Sequence, residues 1–222
     1  SKRFQSLLNY FECTVLIDVG ANEGQFAMET LRSGFVGHIY SIEPLAEENL
    51  ICQKHSKSFA NWSVLEPMAI GTDNENDAIL YISQNRASSS LMKTNKKFDH
   101  VHHQAKASNQ QTTKIMTLQS VMQSLDLTEH ENLALKIDTQ GLDYNILKSS
   151  LGVLKNFSLI GLECSLVELY DGQNLYRDID NLLTKIGFDI VGLHPGHSNK
   201  YTGELLQFDA IYSRVNLSLI HI

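Results

Sequence analysis

Asp18-Val19-Gly20-Ala21-Asn22-Glu23-Gly24 stands between a β-branched run, residues 14–19 (TVLIDV), and a segment of helical spacing, QFAMETLRSG. A glycine directly after a buried strand permits a tight turn, and small residues let a ligand approach the backbone. The helix that Gly24 opens carries partial positive charge at its N-terminus, which favours an anionic ligand group such as a carboxylate. The loop has two glycines where the dinucleotide fingerprint G-x-G-x-x-G has three, so a ligand without a pyrophosphate is expected. Glu43 closes the second strand, HIYSI (38–42), and Pro44 follows it. An acid at that place in a doubly wound sheet hydrogen-bonds ribose hydroxyls. Loop and acid together point to an adenosine-type ligand.

A second set of reactive residues lies further along. Lys136 and Asp138 are two apart on one strand and share a face. Asp138 ends that strand, at the edge where such sheets bind ligands. A carboxylate there can accept a proton from an attacking hydroxyl or orient it; the alternative is an acid bonded to turn amides before Gly141. Lys136 reads as the partner that keeps Asp138 charged, because an amine of ordinary pKa near 10.4 is too basic to serve as the base. Glu163 ends the next strand and should lie beside Asp138. That pair could hold a divalent cation or divide base and hydrogen-bonding roles. His194 and His197 fall in a loop, HPGH, without a third ligand at zinc spacing. His194 is either a solvent-facing residue or a pocket base. No metal is assigned.

These residues need a scaffold, and the chain alternates strand and helix to supply one. Strands are expected at 14–19, 38–42, 62–70, 133–137, 158–163, 188–193 and 205–212, with helices between most of them. This pattern defines an α/β fold, a mostly parallel sheet with helices on both faces. The last two strands have no helix between them, which predicts an antiparallel strand at the edge. Roughly 72–117 interrupts the alternation and reads as an insertion, part hairpin and part loop, with strands expected at 77–83 and 112–117 and with Lys93, Lys96, Lys97, Lys106, His100, His102 and His103 making it locally basic. Such a loop is either solvated or a lid over the ligands. Residues 215–222 read as a packed tail or a segment foreign to the fold.

The chain of 222 residues fits one domain, and 42% hydrophobic against 19% charged residues excludes wholesale disorder. A net charge of −7 argues against a polyanion-binding surface, hence against nucleic acid as partner. No apolar run approaches the ~20 residues of a membrane span, and no signal peptide is read. Cys13, Cys52 and Cys164 are scattered without a CxxC pair, so reduced thiols and a cytoplasmic setting are expected.

The motifs VLIDVGANEGQFA, SIEP, PMAIG, SSSL, TLQSVM and LKIDTQGLDYNIL resemble those of the FkbM-type S-adenosylmethionine-dependent methyltransferases. The Lys136, Asp138, Gly141, Asp143 block carries the resemblance furthest. Gln140 and Asp143 stand where that family commonly has Glu. The resemblance implies a Rossmann-like class I methyltransferase sheet, S-adenosyl-L-methionine as donor, and transfer to a hydroxyl of a sugar, polyketide or other small metabolite. It implies that Asp18, Gly20, Ala21, Asn22 and Gly24 hold the methionine part, that Glu43 and Pro44 meet the ribose, and that Met68 and Ala69 flank the adenine. A non-catalytic adenosine-binding protein and an NAD-dependent oxidoreductase are the alternatives.

Overall fold

The computed structural model describes residues 2–95, 107–130 and 132–214. Its elements run α1 (Lys2–Tyr10), β1 (Val15–Val19), α2 (Gln25–Arg32), β2 (His38–Ile42), α3 (Ala46–Ser56), β3 (Trp62–Val64), β4 (Ala69–Ile70), β5 (Glu75–Ser83) and β6 (Ala107–Met116). They continue with α4 (Leu118–Ser124), β7 (Leu133–Ile137), α5 (Asp143–Ser149), α6 (Leu151–Leu154), β8 (Phe157–Ser165), α7 (Tyr176–Lys185), β9 (Phe188–Pro195) and β10 (Gln207–Arg214).

Seven strands form the main sheet in the order β3-β2-β1-β7-β8-β10-β9. β1 (VLIDV) is buried at every position and β7 (LALKI) at all but Lys136, the near-continuous apolar runs of strands covered on both faces. β1 pairs in parallel with β2 and β7, and β7 with β8. Strand order therefore reverses between β1 and β7, which opens a crevice at their carboxyl ends.

Alternation along the strands splits the core in two. Leu16, Ala134, Leu159 and Ile211 face α1 and α2, where Phe4, Leu8, Ala27 and Leu31 meet them. Ile17, Leu135, Ile160 and Ala210 point the other way, onto Leu118, Ile146 and Leu183 of α4, α5 and α7. The even-numbered face of β1 and β7 carries Asp18 in register with Lys136.

Four details differ from the expectations. The 62–70 segment is two strands in two sheets: the chain leaves β3 before Pro67, which has no N–H for a ladder, and β4 pairs with β6 in a small β4-β6-β5 sheet. β6 begins at Ala107, five residues before its expected start, because its polar, mostly exposed first half still hydrogen-bonds β5. α1 was not anticipated; it covers the sheet where Phe4 lies against Gly161, leaving no room there for a Cβ. The antiparallel strand, β10, sits one place inside the edge, between β8 and β9. Most of the basic residues of the insertion, Lys96 through Lys106, lie outside the described residues, as does 215–222. No helix among the described residues is long and apolar enough to cross a membrane, and Cys13, Cys52 and Cys164 are buried free thiols.

Candidate active site

The turn after β1 is built by backbone pairing to its neighbours. The amides of Gly20 and Ala21 both donate to the Ile42 carbonyl (3.0 Å each), and the Asp138 amide donates to Val19 (3.0 Å). Gly20 has φ +76°, and a Cβ there would stand 2.0 Å from the Asp138 carbonyl oxygen. The two glycine-loop and acid motifs are thus in backbone contact.

Glu43 is buried beneath this turn. The Asn22 amide donates to its Oε2 (2.8 Å) and the Leu45 amide to its Oε1 (2.9 Å). Burial pushes the Glu43 carboxyl up to about 7, against the pull of those two amides. Each carboxylate oxygen accepts one amide and keeps lone-pair capacity for another donor. Glu43, Pro44, Asn22, Met68 and Ala69 line a cavity of about 490 Å³. That volume falls within the range of small-molecule sites.

One wall of this cavity is a strap from the insertion, Asn85–Leu91. Arg86 anchors it: its guanidinium donates to both Glu48 oxygens, one at 2.7 Å, and pairs with Glu47 at 3.1 Å. The Ser90 hydroxyl donates to the Gln140 carbonyl (2.6 Å).

A second cavity, about 740 Å³, opens over the α1 and α2 side of the sheet. Gly20, Asn22, Gln25 and Asp138 line both cavities, so the two meet there. The strand register sets its polar floor. Lys136 pairs with Gly161 and Ile137 with Leu162, which brings Asp138 beside Glu163; Glu163 pairs with Asp209, and Asp209 with His194. Four titratable side chains thus form a row across β7, β8, β10 and β9.

Charge in this row is unevenly compensated. Lys136 Nζ lies 3.4 Å from Asp138 Oδ2, 3.7 Å from Asp18 Oδ1 and donates to the Gly20 carbonyl at 3.3 Å. Burial pulls the Lys136 pKa down, but Asp138 and Asp18 outweigh it, so the net shift is upward and the ammonium keeps its charge. Burial raises Glu163 to about 8, and Asp138, Asp143 and Asp209 push the same way. Asp143 accepts from the Thr139 and Gly141 amides (3.3 Å each) and is raised to about 6, chiefly by burial. Asp143 therefore does the turn-binding that was the alternative for Asp138, and leaves Asp138 facing the cavities.

Three placements depart from the expectations. Asp18 lines neither cavity; it is fully buried, accepts from Ser41 (3.1 Å), and reaches the site through Lys136. Gly24 also lines neither: with φ +84° it caps α2, and a Cβ there would meet the Trp62 ring at 2.6 Å. His194 is in β9 and not in a loop, because the edge strand continues to Pro195 against β10. Ala21 lines the second cavity only. The SSSL motif does supply cavity residues, Ser89, Ser90 and Leu91; the sequence reading missed Asp209 and Arg86, and a lone acid in the apolar run LLQFDAIY was the available signal for Asp209.

The raised carboxyls make stability pH-dependent. Glu43, Asp143 and Glu163 bind protons more tightly folded than unfolded, so the native state holds more protons between about pH 4.5 and 8. Stability of the donor-free protein therefore falls as pH rises through that window. Calorimetry should give a lower Tm at pH 8.5 than at pH 5.5, with the slope reduced in Glu163→Gln. A flat or rising Tm would contradict the assignment.

A doubly wound sheet of this strand order, with a glycine turn after β1 and an acid after β2, defines a Rossmann-like class I methyltransferase. The family model for the methyltransferase FkbM domain matches residues 18–190, and the chain belongs to that family. S-adenosylmethionine is its methyl donor. Among solved structures, Streptococcus pneumoniae Sp1610, named as a candidate tRNA (m1A22) methyltransferase in complex with S-adenosyl-L-methionine, is similar at a TM-score of 0.53 and 14% identity. That match covers 96% of this chain and 72% of the other. A Streptococcus agalactiae protein in the NADB-Rossmann superfamily is similar at 0.51 and 13% identity, over 96% and 68%. No curated protein matches.

Proposed function

We propose that this chain transfers a methyl group to a hydroxyl oxygen of a sugar, polyketide or other small metabolite bound in the second cavity. The observation that carries this reading is Asp138. It lies where the two cavities meet, paired to a charged lysine and relieved of turn duty by Asp143.

The residues of the first cavity fit the donor. Glu43 offers acceptor capacity for ribose hydroxyls, the Gly20–Asn22 turn would hold the methionine part, and Met68 and Ala69 would flank the adenine. When bound, S-adenosylmethionine supplies an electrophilic methyl group on a sulfonium. The chain's own residues do the rest. Asp138 accepts the acceptor's hydroxyl proton as that oxygen attacks, and the Lys136 ammonium, 3.4 Å away, compensates its charge. Glu163, Asp209 and His194 provide hydrogen-bonding groups that orient the acceptor. Most of the rate comes from holding the two reactants in line in a site shielded from water.

A small acceptor is favoured over nucleic acid because the second cavity's floor carries the acids Asp138, Glu163 and Asp209, and its lysine, Lys136, is already paired to Asp138 and Asp18 and not offered to a phosphate backbone. Reduced cysteines fit a cytoplasmic setting.

Incubation with isotopically labelled donor and a panel of glycosides, polyols and hydroxylated polyketides should give an acid-stable O-methyl product. Transfer to amines alone, or binding of donor without transfer to any acceptor, would refute the reading. Glu43→Gln should weaken donor binding about 10–100-fold in a calorimetric titration, since the new amide NH2 opposes a backbone N–H and a charged acceptor is lost. Unchanged affinity would remove Glu43 from the donor site.

A further inference from the structure

Gln140 follows Asp138 by two residues, in the turn between β7 and α5. It lines neither cavity. Its φ is +55°, a left-handed conformation that a residue with a side chain rarely adopts. The side chain is engaged at both ends. Nε2 donates to Asp138 Oδ1 at 2.6 Å and to Glu163 Oε2 at 3.3 Å. Oε1 accepts from the buried Tyr170 hydroxyl at 2.7 Å. The amide cannot be turned end for end, because its oxygen has nothing to offer two carboxylates.

We infer that Gln140 is a positioning residue whose amide holds Asp138 and Glu163 apart and sets the proton-accepting state of the pair. This rests on the hydroxyl-methylation reading above. A neutral amide donating to both carboxylates stabilises their charged forms together. Without it, two neighbouring carboxylates compete for a proton and titrate as a unit with a raised upper step. A carboxylate at 140 would add a third like charge.

The groups facing this pair come from every surrounding element. Lys136 of β7 and Asp18 of β1 lie on one side, Asp143 of α5 behind, and Asp209 of β10 and His194 of β9 beyond Glu163. Tyr170, Arg3 of α1 and Gln207 of β10, whose Nε2 also donates to Glu163 Oε2 at 2.6 Å, complete the surroundings. Among the described residues only Lys136 touches Asp138 with positive charge, and Asp18 shares it. The Gln140 amide is thus the donor that reaches both acids. Gln140 also carries the strap, through Ser90 on its carbonyl and through Tyr170, whose hydroxyl reaches the Ser88 carbonyl at 3.4 Å. The strap's direct contact is with the residue 140 backbone carbonyl, which a change of side chain keeps.

Two variants of the full chain test this, Gln140→Glu and Gln140→Leu. Carbon-detected NMR titration of the side-chain carboxyls, assigned with Asp138→Asn and Glu163→Gln, reads the pair directly. The upper apparent pKa of the pair should rise by about one unit in both variants. The acidic limb of kcat/KM against pH should move up with it, so that raising pH restores the activity lost near neutrality. S-adenosylmethionine affinity should stay within about twofold, as expected of a group acting on the reacting acids alone. Unchanged carboxyl titrations in both variants overturn the inference. So does loss of donor binding in both, which marks a residue that merely holds the turn. A wild-type chain that methylates no hydroxyl overturns the functional reading instead, while the titration still decides the role of Gln140.

Discussion

Asp138→Asn is expected to lower methyl transfer by about 10²–10⁴-fold at saturating donor, the range contributed by a positioned proton acceptor. The substitution keeps shape and volume. Its carbonyl oxygen can still accept from Gln140, while its NH2 replaces the oxygen that faces Lys136 at 3.4 Å. Lys136 does not become an unpaired buried charge, because Asp18 and the Gly20 carbonyl remain within reach. The fold and the first cavity should therefore survive. Single-turnover rates separate the chemical step from product release, and calorimetric titration should show donor affinity within a few-fold of the parent. Equal turnover in the variant would leave Asp138 as a structural acid. A parallel loss of donor affinity would place it in donor binding.

Gly20→Ala should be the most damaging single methyl in the chain. A Cβ at position 20 would sit 2.0 Å from the Asp138 carbonyl oxygen and 3.0 Å from its carbon, atoms of backbone that cannot turn aside. The φ of +76° adds ~1–2 kcal/mol of strain for an L side chain. Relief requires β1 and β7 to part at the place where the two cavities meet. A loss of about 3–5 kcal/mol follows, or a Tm lower by roughly 10 °C or more for a chain of this size. Donor binding should fall by more than about 100-fold, since both the turn and Asp138 move. Gly34→Ala is the matched control: its φ is +95°, but nothing lies within 4 Å of the added carbon. Its cost is strain alone. Equal melting temperatures for the two variants would refute the packing argument.

How much of this was legible beforehand depended on whether a feature was local. β1, its glycine turn and β7 were readable because buried parallel strands are continuous apolar runs, and a turn that crowds a neighbouring strand demands glycine. The neighbourhood of Asp138 and Glu163 followed from strand ends in a known sheet order. Asp18 misled because its position in the motif suggested contact, whereas alternation along β1 turns it inward to Ser41 and Lys136. β6 was shortened because its exposed Ser, Asn, Gln and Thr residues hide a period of two. The partnership of Asp209 with Glu163 and His194 needed the register of β10 against two strands, which no local spacing encodes. Gln140 appeared only as a departure from a family pattern, and its contacts come from segments 23 and 30 residues away.

The position of β10 between β8 and β9 imposes an order on biosynthesis. Every residue lining the first cavity lies between Val19 and Leu142, so a nascent chain possesses that cavity's whole set of parts before Glu163, His194 and Asp209 are made. The second cavity needs Glu163, His194 and Asp209, and β9 has no partner in the sheet until β10 has emerged and paired with β8. Domains fold largely as they are synthesised, amino end first. A ribosome-bound intermediate would thus hold the first cavity's lining before the second's, and premature docking of β9 onto β8 is the off-pathway step that this topology must avoid.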